Sequence, residues 1–499
     1  MTKDASPRRL AGYNWLKQHY PVPDIPHDHV SWLGAIDGRT LTGDDEVFPS
    51  RKFSPADTWA GHLEFALKYD GINLRILLQV FQHIPAAELV TLIHRQPTGI
   101  YVRRIWFLYE FLLDTTLDVD DLKRGNYIDL IDPEQYMVRS FPDPASRRSG
   151  MSRRHRVINN LLGNRQFCPM ARRRNLDWQS LHDKTKNLLN KYDHATIIGT
   201  INYLYTKETR SSFAIENETP SKDKVERFGK ALRHANKWQV LNKAAYLELQ
   251  DIMLAHPEKD YRTVQNFVGE TINMNEYVHL VPPKPDDVPV LMDGLQTFIK
   301  ESGDLNPIVA AAAAAFGFVF IHPFEDGNGR THRFMLHYFL STRGVTPEKL
   351  IFPISATMLE DMQAYDACLE TFSVPVKALV EYEFDDNFTM KVVSDSAYLY
   401  RYFDATPIVD YLYACINQTI ELVLKVELDL LHNFRQVKQT LDQEMDISNI
   451  DLNRFINFCH ENNGRLSLRK RKRFFEKYSD EQILRMEEVY RSYFNNFSA

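Results

Sequence analysis

The chain is short of several things, and each shortage excludes something. Only four of its 499 residues are cysteine, namely Cys168, Cys368, Cys415 and Cys459, and no CxxC pair occurs. That argues against a disulfide frame or a cysteine zinc site and points to reduced thiols in a reducing compartment. There is no basic excess: 60 Lys and Arg face 66 Asp and Glu, a net charge of -6. Nucleic acid is therefore not the default partner, because phosphate binding over a whole surface needs a positive balance. Local basic runs stay open as sites. No apolar run has membrane-spanning length; the longest, Ile308 to Ile321, suits a buried helix. The opening residues MTKDASPRRL lack the apolar core of a leader. The expectation is a cytoplasmic protein with no membrane partner. Strand signals are few, and no repeat or long low-complexity tract stands out.

What is present is mostly helical periodicity, so the fold class expected is mainly α. Tyr101 to Leu113 and Ile198 to Tyr205 read as helices. Val225, Phe228, Ala231 and Leu232 recur at helical spacing after Ser221, a good N-cap. Leu291, Leu295 and Phe298 mark another helix. The best hairpin candidate is Tyr277 to Val290, with a proline-rich turn. Asp143 to Arg156 reads as an exposed loop. Ser479 with Gln482 suggests a capping box, downstream of the basic run SLRKRKRFF. The division expected is an N-terminal helical region at 1–200, a central domain at 201–375 and a C-terminal helical region at 376–499.

The densest chemistry is His322 to Arg333, HPFEDGNGRTHR. Six consecutive alanines precede it, and Pro323 disfavours helix at His322, so one helix should stop there. A second should begin near Gly329. A loop feeding a helix N-terminus binds anions, since unpaired N–H groups and the helix dipole face the ligand. Gly327 and Gly329 let a ligand touch the backbone around Asn328. Arg330 and Arg333 share a helical face and reach one oligophosphate with forked donors. Asp326 offers a hard oxygen suited to Mg²⁺ shared with phosphates. His322 can take a proton near neutral pH. Phe324 reads as an anchor into the core.

This stretch resembles the Fic-domain motif HPFx(D/E)GNGRxxR at every defined position. The resemblance implies a Fic-type helical core with a β-hairpin flap, and transfer of AMP from ATP to a Ser, Thr or Tyr hydroxyl of a protein, this chain included. It implies His322 as the base, Asp326 as the Mg²⁺ ligand, Gly327, Asn328 and Gly329 as the anion hole, and Arg330 and Arg333 on the phosphates. The flap would lie near 276–290, and Tyr261 to Gly269, YRTVQNFVG, resembles the family segment before it. Tyr365, in MQAYDACLE, falls where the family often carries residues near the nucleotide base. Ser212, Glu216 and Asn217 in SSFAIENE match the family's inhibitory pattern (S/T)xxxE(G/N), implying an inhibitory helix near 209–218. Glu216 would pair with Arg333 and exclude the γ-phosphate, and dimer contacts could hold that helix. Other readings stay open: another donor such as UTP or CDP-choline, removal of AMP, or an ATP-sensing regulatory or DNA-binding protein.

Overall fold

The computed structural model describes residues 8–494 except 236–237, 239, 255–258, 273–274 and 387–388. Packing divides the chain into two compact units. The first comprises the stretch ending at Leu176 with Ala235–Leu340 and Asp361–Tyr413; the second comprises Asp177–His234, Ser341–Glu360 and the stretch from Ala414. The units interleave along the chain, whereas the regions 1–200, 201–375 and 376–499 are consecutive. Both are mainly α.

The first unit is centred on the alanine helix, Pro307–Ile321, buried along nearly its whole length. Pro307 fits the first helical position, and the Asn306 side chain accepts from the Ile308 N–H. Small residues let neighbours come close: a Cβ added at Gly317 would lie 2.3 Å from Phe167 Cζ. Phe320 stacks flat on Phe372 at 3.9 Å between centroids. Each such buried phenylalanine contributes about 1.5–3 kcal/mol of transfer free energy. Val288–Glu301 packs alongside, burying Leu291, Leu295 and Phe298 as their spacing requires.

Three features differ from the sequence reading. A four-stranded sheet stands near the N-terminus, in the order Arg9–Leu10, Val30–Gly34, Asp45–Pro49, Thr40–Thr42, with a parallel central pair. The hairpin is Val268–Ile272 paired with Asn275–Leu280, upstream of the 276–290 expected. The prolines set the shift. Pro282, Pro283 and Pro285 have no N–H to give a ladder, and from Val288 the chain is helical with Pro289 in the first turn. Asp143 to Arg156 is not an open loop. Asp143 caps the helix Pro144–Gly150 through a capping box. His155 is buried, and both it and Arg154 bond Glu110. Burial alone would raise the Glu110 carboxyl, but bonds from His155, Arg154 and the Leu117 N–H hold it at about 2. Cys168 is buried in the same unit, and burial pushes its thiol up to about 12.

The second unit is organised by the 22-residue helix His194–Ile215, capped by Asp193 on the Ala195 and Thr196 N–H groups. It packs against Lys222–Arg233, Ile354–Glu360 and Lys425–Glu444. Buried Glu208 accepts from the Ser355 N–H at 2.9 Å, placing a carboxylate at a helix start where the dipole favours it. Val437, Leu441, Phe455, Phe475 and Met486 form a separate apolar cluster under the last helices. Ser479 and Gln482 make the reciprocal capping bonds, 2.8 and 3.2 Å. The basic run is the short helix Leu468–Phe474 on this cluster.

Among the described residues, no single helix is long and apolar enough to cross a membrane.

Candidate active site

Six residues, His322 to Gly327, separate the motif helix, Asn328–Thr342, from the end of the alanine helix. His322 closes the alanine helix in the left-handed region, φ 50°, with its N–H bonded to Phe318 O at 3.0 Å. That conformation is uncommon for a histidine and costs about 1 kcal/mol, held here by the packed helix behind it. Its Nδ1 lies 3.2 Å from Val319 O. A carbonyl only accepts, so Nδ1 is the donor in this contact.

Gly327, at φ 77°, turns the chain into the helix, and its carbonyl takes the first helical bond from the Thr331 N–H at 2.9 Å. The N–H groups of a helix's first turn precede the regular helical pairing, which is what makes such a start suited to an anion. Asn328 is 2% exposed and spends its whole amide on one peptide: Phe324 N–H donates to Oδ1 at 3.1 Å, and Nδ2 donates to Phe324 O at 2.8 Å. Phe324 is buried, the anchor its setting implied.

Asp326 projects outward, its side chain 63% exposed, and Oδ1 accepts from Arg330 Nη2 at 2.7 Å. Gly327 N–H also donates to that oxygen. Arg330 and Arg333 are each 1% exposed, so a phosphate meeting them would meet cations withdrawn from bulk water. Between them His332 is wholly buried against Phe316. Burial pushes its pKa down to about 3, so it stays neutral. Tyr365 is also buried, its ring 6.4 Å from that of His332 and 6.2 Å from that of Tyr411. Like Asn328, Arg330 and Arg333, Tyr365 is a buried member of the set expected at the nucleotide.

Ser212, Glu216 and Asn217 belong to the second unit. They end the long helix His194–Ile215 and are not on a short one. Ser212 is buried, Glu216 is exposed just past the last turn, and Asn217 is left-handed at φ 57°. The Glu218 N–H reaches back to Phe213 O at 3.0 Å. Asn and Gly are the residues that accept such a helix-ending position, which gives the last place of the pattern a backbone cause.

Gln250 escaped sequence reasoning, and Arg262, Gln265 and Asn266, which lie in the segment YRTVQNFVG, were given no role by it. Gln250 Nε2 donates to Asp326 O at 3.3 Å, and Asn266 Nδ2 donates to Phe324 O at 3.1 Å. Such donors to loop carbonyls have no spacing to betray them.

Taken together, a left-handed histidine beside a glycine-turned helix start with two buried arginines makes a setting whose chemistry suits an anion. Residues 240–340 match the model of the Fic/DOC family; the chain carries a Fic domain. Similar proteins include the protein adenylyltransferase Fic of Aedes aegypti, 35% identical over 117 residues, 22% of each chain. That of Nematostella vectensis is 32% identical over 129 residues, 23% of this chain and 28% of that one. The chain thus spans less than a third of the length of these curated relatives. Among solved structures, a Fic family protein of Desulfovibrio desulfuricans is 16% identical, covering 65% of this chain and 88% of that one, at TM-score 0.36. Fic-1 of C. elegans is 17% identical, covering 74% and 93%, at TM-score 0.30.

Proposed function

We propose that the chain is a protein adenylyltransferase, moving AMP from ATP to a hydroxyl side chain of a protein, its own included. The observation that carries this is the orientation of His322. Its Nδ1 is spent on Val319 O, leaving Nε2 as the proton acceptor beside the helix start. In the step inferred, Nε2 takes the hydroxyl proton and the hydroxyl oxygen bonds to the α-phosphorus. The bond from that phosphorus to the α–β bridging oxygen breaks, and pyrophosphate leaves. The helix-start N–H groups, Arg330 and Arg333 would stabilise the charge that develops. The hairpin edge, where Tyr277 is 50% exposed, would hold the target segment by strand addition.

Mg²⁺ fits Asp326, an outward carboxylate of hard oxygens. Among the described residues no group of three or more His, Cys, Asp or Glu forms a cage, so phosphate oxygens and water would complete its shell. When bound it would neutralise phosphate charge. Arg330 pairs with Asp326, and Mg-ATP would offer each a partner of opposite sign.

The same reading includes a brake. Glu216 would restrain ATP by engaging Arg333, supported by the sequence pattern and by the Asn217 turn that ends its helix. A reducing, cytoplasmic setting fits the four buried free cysteines.

Intact-mass measurement after incubation with Mg-ATP tests this on three forms: the parent, Glu216→Gly, and Glu216→Gly with His322→Ala. A gain of one AMP on the single variant alone is expected. Equal labelling of parent and Glu216→Gly would sink the brake. Equal labelling with and without His322 would sink the base.

A further inference from the structure

Two sets of carbonyls in the first unit are gripped by side chains. On the hairpin and the irregular stretch leaving it, Lys377 Nζ donates to Val278 O at 2.8 Å and Gln265 Nε2 to Pro282 O at 3.1 Å. Tyr400 donates to Val281 O. On the loop that carries His322, Asn266 and Asn328 serve Phe324 O, and Gln250 serves Asp326 O. One guanidinium serves both sets. Arg262 Nε donates to His322 O at 2.9 Å, Nη1 to Val264 O at 3.0 Å, and Nη2 to Pro283 O. Its own N–H donates to Pro323 O at 2.9 Å.

Arg262 is 3% exposed and makes no ion pair among the described residues. Burying a cation on carbonyls alone is costly. Burial pushes its pKa down to about 10, still far above neutrality, so it keeps its charge and every donor. A neutral side chain could have filled the space. The planar fork is what reaches three carbonyls in three directions, one of them belonging to His322 itself.

We propose that Arg262 is a positioning residue that locks the hairpin exit to the His322 loop, fixing the gap between a target segment on the hairpin and the base. The consequence for rate rests on the AMP-transfer reading. The lock itself does not. A displacement of about 1 Å between reacting groups costs on the order of 100-fold in rate.

The test uses the full chain carrying Glu216→Gly, with Arg262→Gln, Arg262→Lys and, as a control whose side chain donates to Pro282 O and Asn266 O and to no carbonyl of the His322 loop, Gln265→Ala. Three quantities are read: affinity for Mg-ATP, the rate of AMP gain, and amide exchange over 276–280 and 322–328. Arg262→Gln should speed exchange in both segments together and slow transfer about 10- to 100-fold, with affinity held within about twofold. Arg262→Lys keeps the charge but has one donor centre, so it should restore less than half of the lost rate. Gln265→Ala should loosen only 276–280. Exchange rising in one segment alone for Arg262→Gln, or full rescue by lysine, overturns the proposal. So does an affinity loss as large as the rate loss. Should Arg262→Gln not fold, the lysine variant carries the same exchange test. If the Glu216→Gly parent transfers no AMP, the activity reading fails, and the paired exchange response still decides whether Arg262 is the lock.

Discussion

Asn328→Ala is the sharpest perturbation of the site's scaffold. The Asn328 amide makes two buried bonds, both to the Phe324 peptide. Their losses differ in kind. The Phe324 N–H has Asn328 Oδ1 as its acceptor and is orphaned in the interior, at about 1–3 kcal/mol. The Phe324 carbonyl keeps Asn266 Nδ2 at 3.1 Å, so its loss is one net bond, about 0.5–1.5 kcal/mol. The expected cost is about 2–4 kcal/mol, a 30- to 1000-fold rise in the opening of the helix start. Amide exchange at Thr331, whose N–H closes the first helical turn, reads that opening directly. The shared acceptor adds a second requirement. Asn266→Ala alone should cost less than about 1 kcal/mol, but in the Asn328→Ala background it orphans the carbonyl as well. The double variant should exceed the sum of the singles by about 1 kcal/mol. A single-variant cost under about 0.5 kcal/mol, or additivity within that margin, would refute the reasoning.

Gly327→Ala places a Cβ 3.1 Å from Gln250 Oε1 at φ 77°, so strain and a displaced Gln250 should together cost about 1–2 kcal/mol and lower Mg-ATP affinity about tenfold; unchanged affinity by calorimetry would count against the cradle. Asp326→Asn removes the carboxylate that pairs with Arg330 while keeping its size. The Mg²⁺ concentration needed for half-maximal transfer should rise at least about tenfold, with metal-free ATP affinity not reduced; an equal fall in both affinities would show that Asp326 acts through structure alone. His332, held at about 3 when folded, binds its proton in the unfolded chain below about 6.5. Stability is therefore lost as pH falls through that range, by about 2 kcal/mol at pH 5 for this group. His332→Leu should shrink the gap between urea midpoints at pH 7 and pH 5, and an unchanged gap would place the acid sensitivity elsewhere.

The parts of the molecule legible from sequence are those fixed by neighbours along the chain. The alanine run and Pro323 set where one helix stops. Ser221 and the Ser479–Gln482 box set where two others start. The site was legible for the same reason, because its residues are nearly contiguous. The N-terminal sheet was not. Val30–Gly34 and Asp45–Pro49 are five residues each and pair directly in parallel, with the edge strand Thr40–Thr42 between them in the sequence, which no local periodicity announces. The hairpin was displaced in the reading because prolines resemble a turn. The strands actually paired are VGETI and NEYVHL, whose charges mask their alternation.

The part of the site held mostly from a distance along the chain has a physical logic of its own. Loop carbonyls of a catalytic segment need donors, and backbone donors are unavailable where proline and left-handed residues interrupt regular pairing. From His322 to Asp326 the carbonyls of four residues are met by Arg262, Asn266, Asn328 and Gln250, one of them through the Arg262 backbone. Three of these donors lie more than 50 residues upstream of the carbonyls they serve. The motif specifies what the loop can do to a phosphate, whereas the distant amides and guanidinium specify where the loop is. A sequence carrying HPFEDGNGRTHR without those donors would keep the chemistry of its side chains and lose the geometry that aims them. Grafting the twelve-residue motif between two unrelated helices should therefore yield an anion binder with little transfer, and restoring an arginine on the His322 carbonyl is the first addition that should matter.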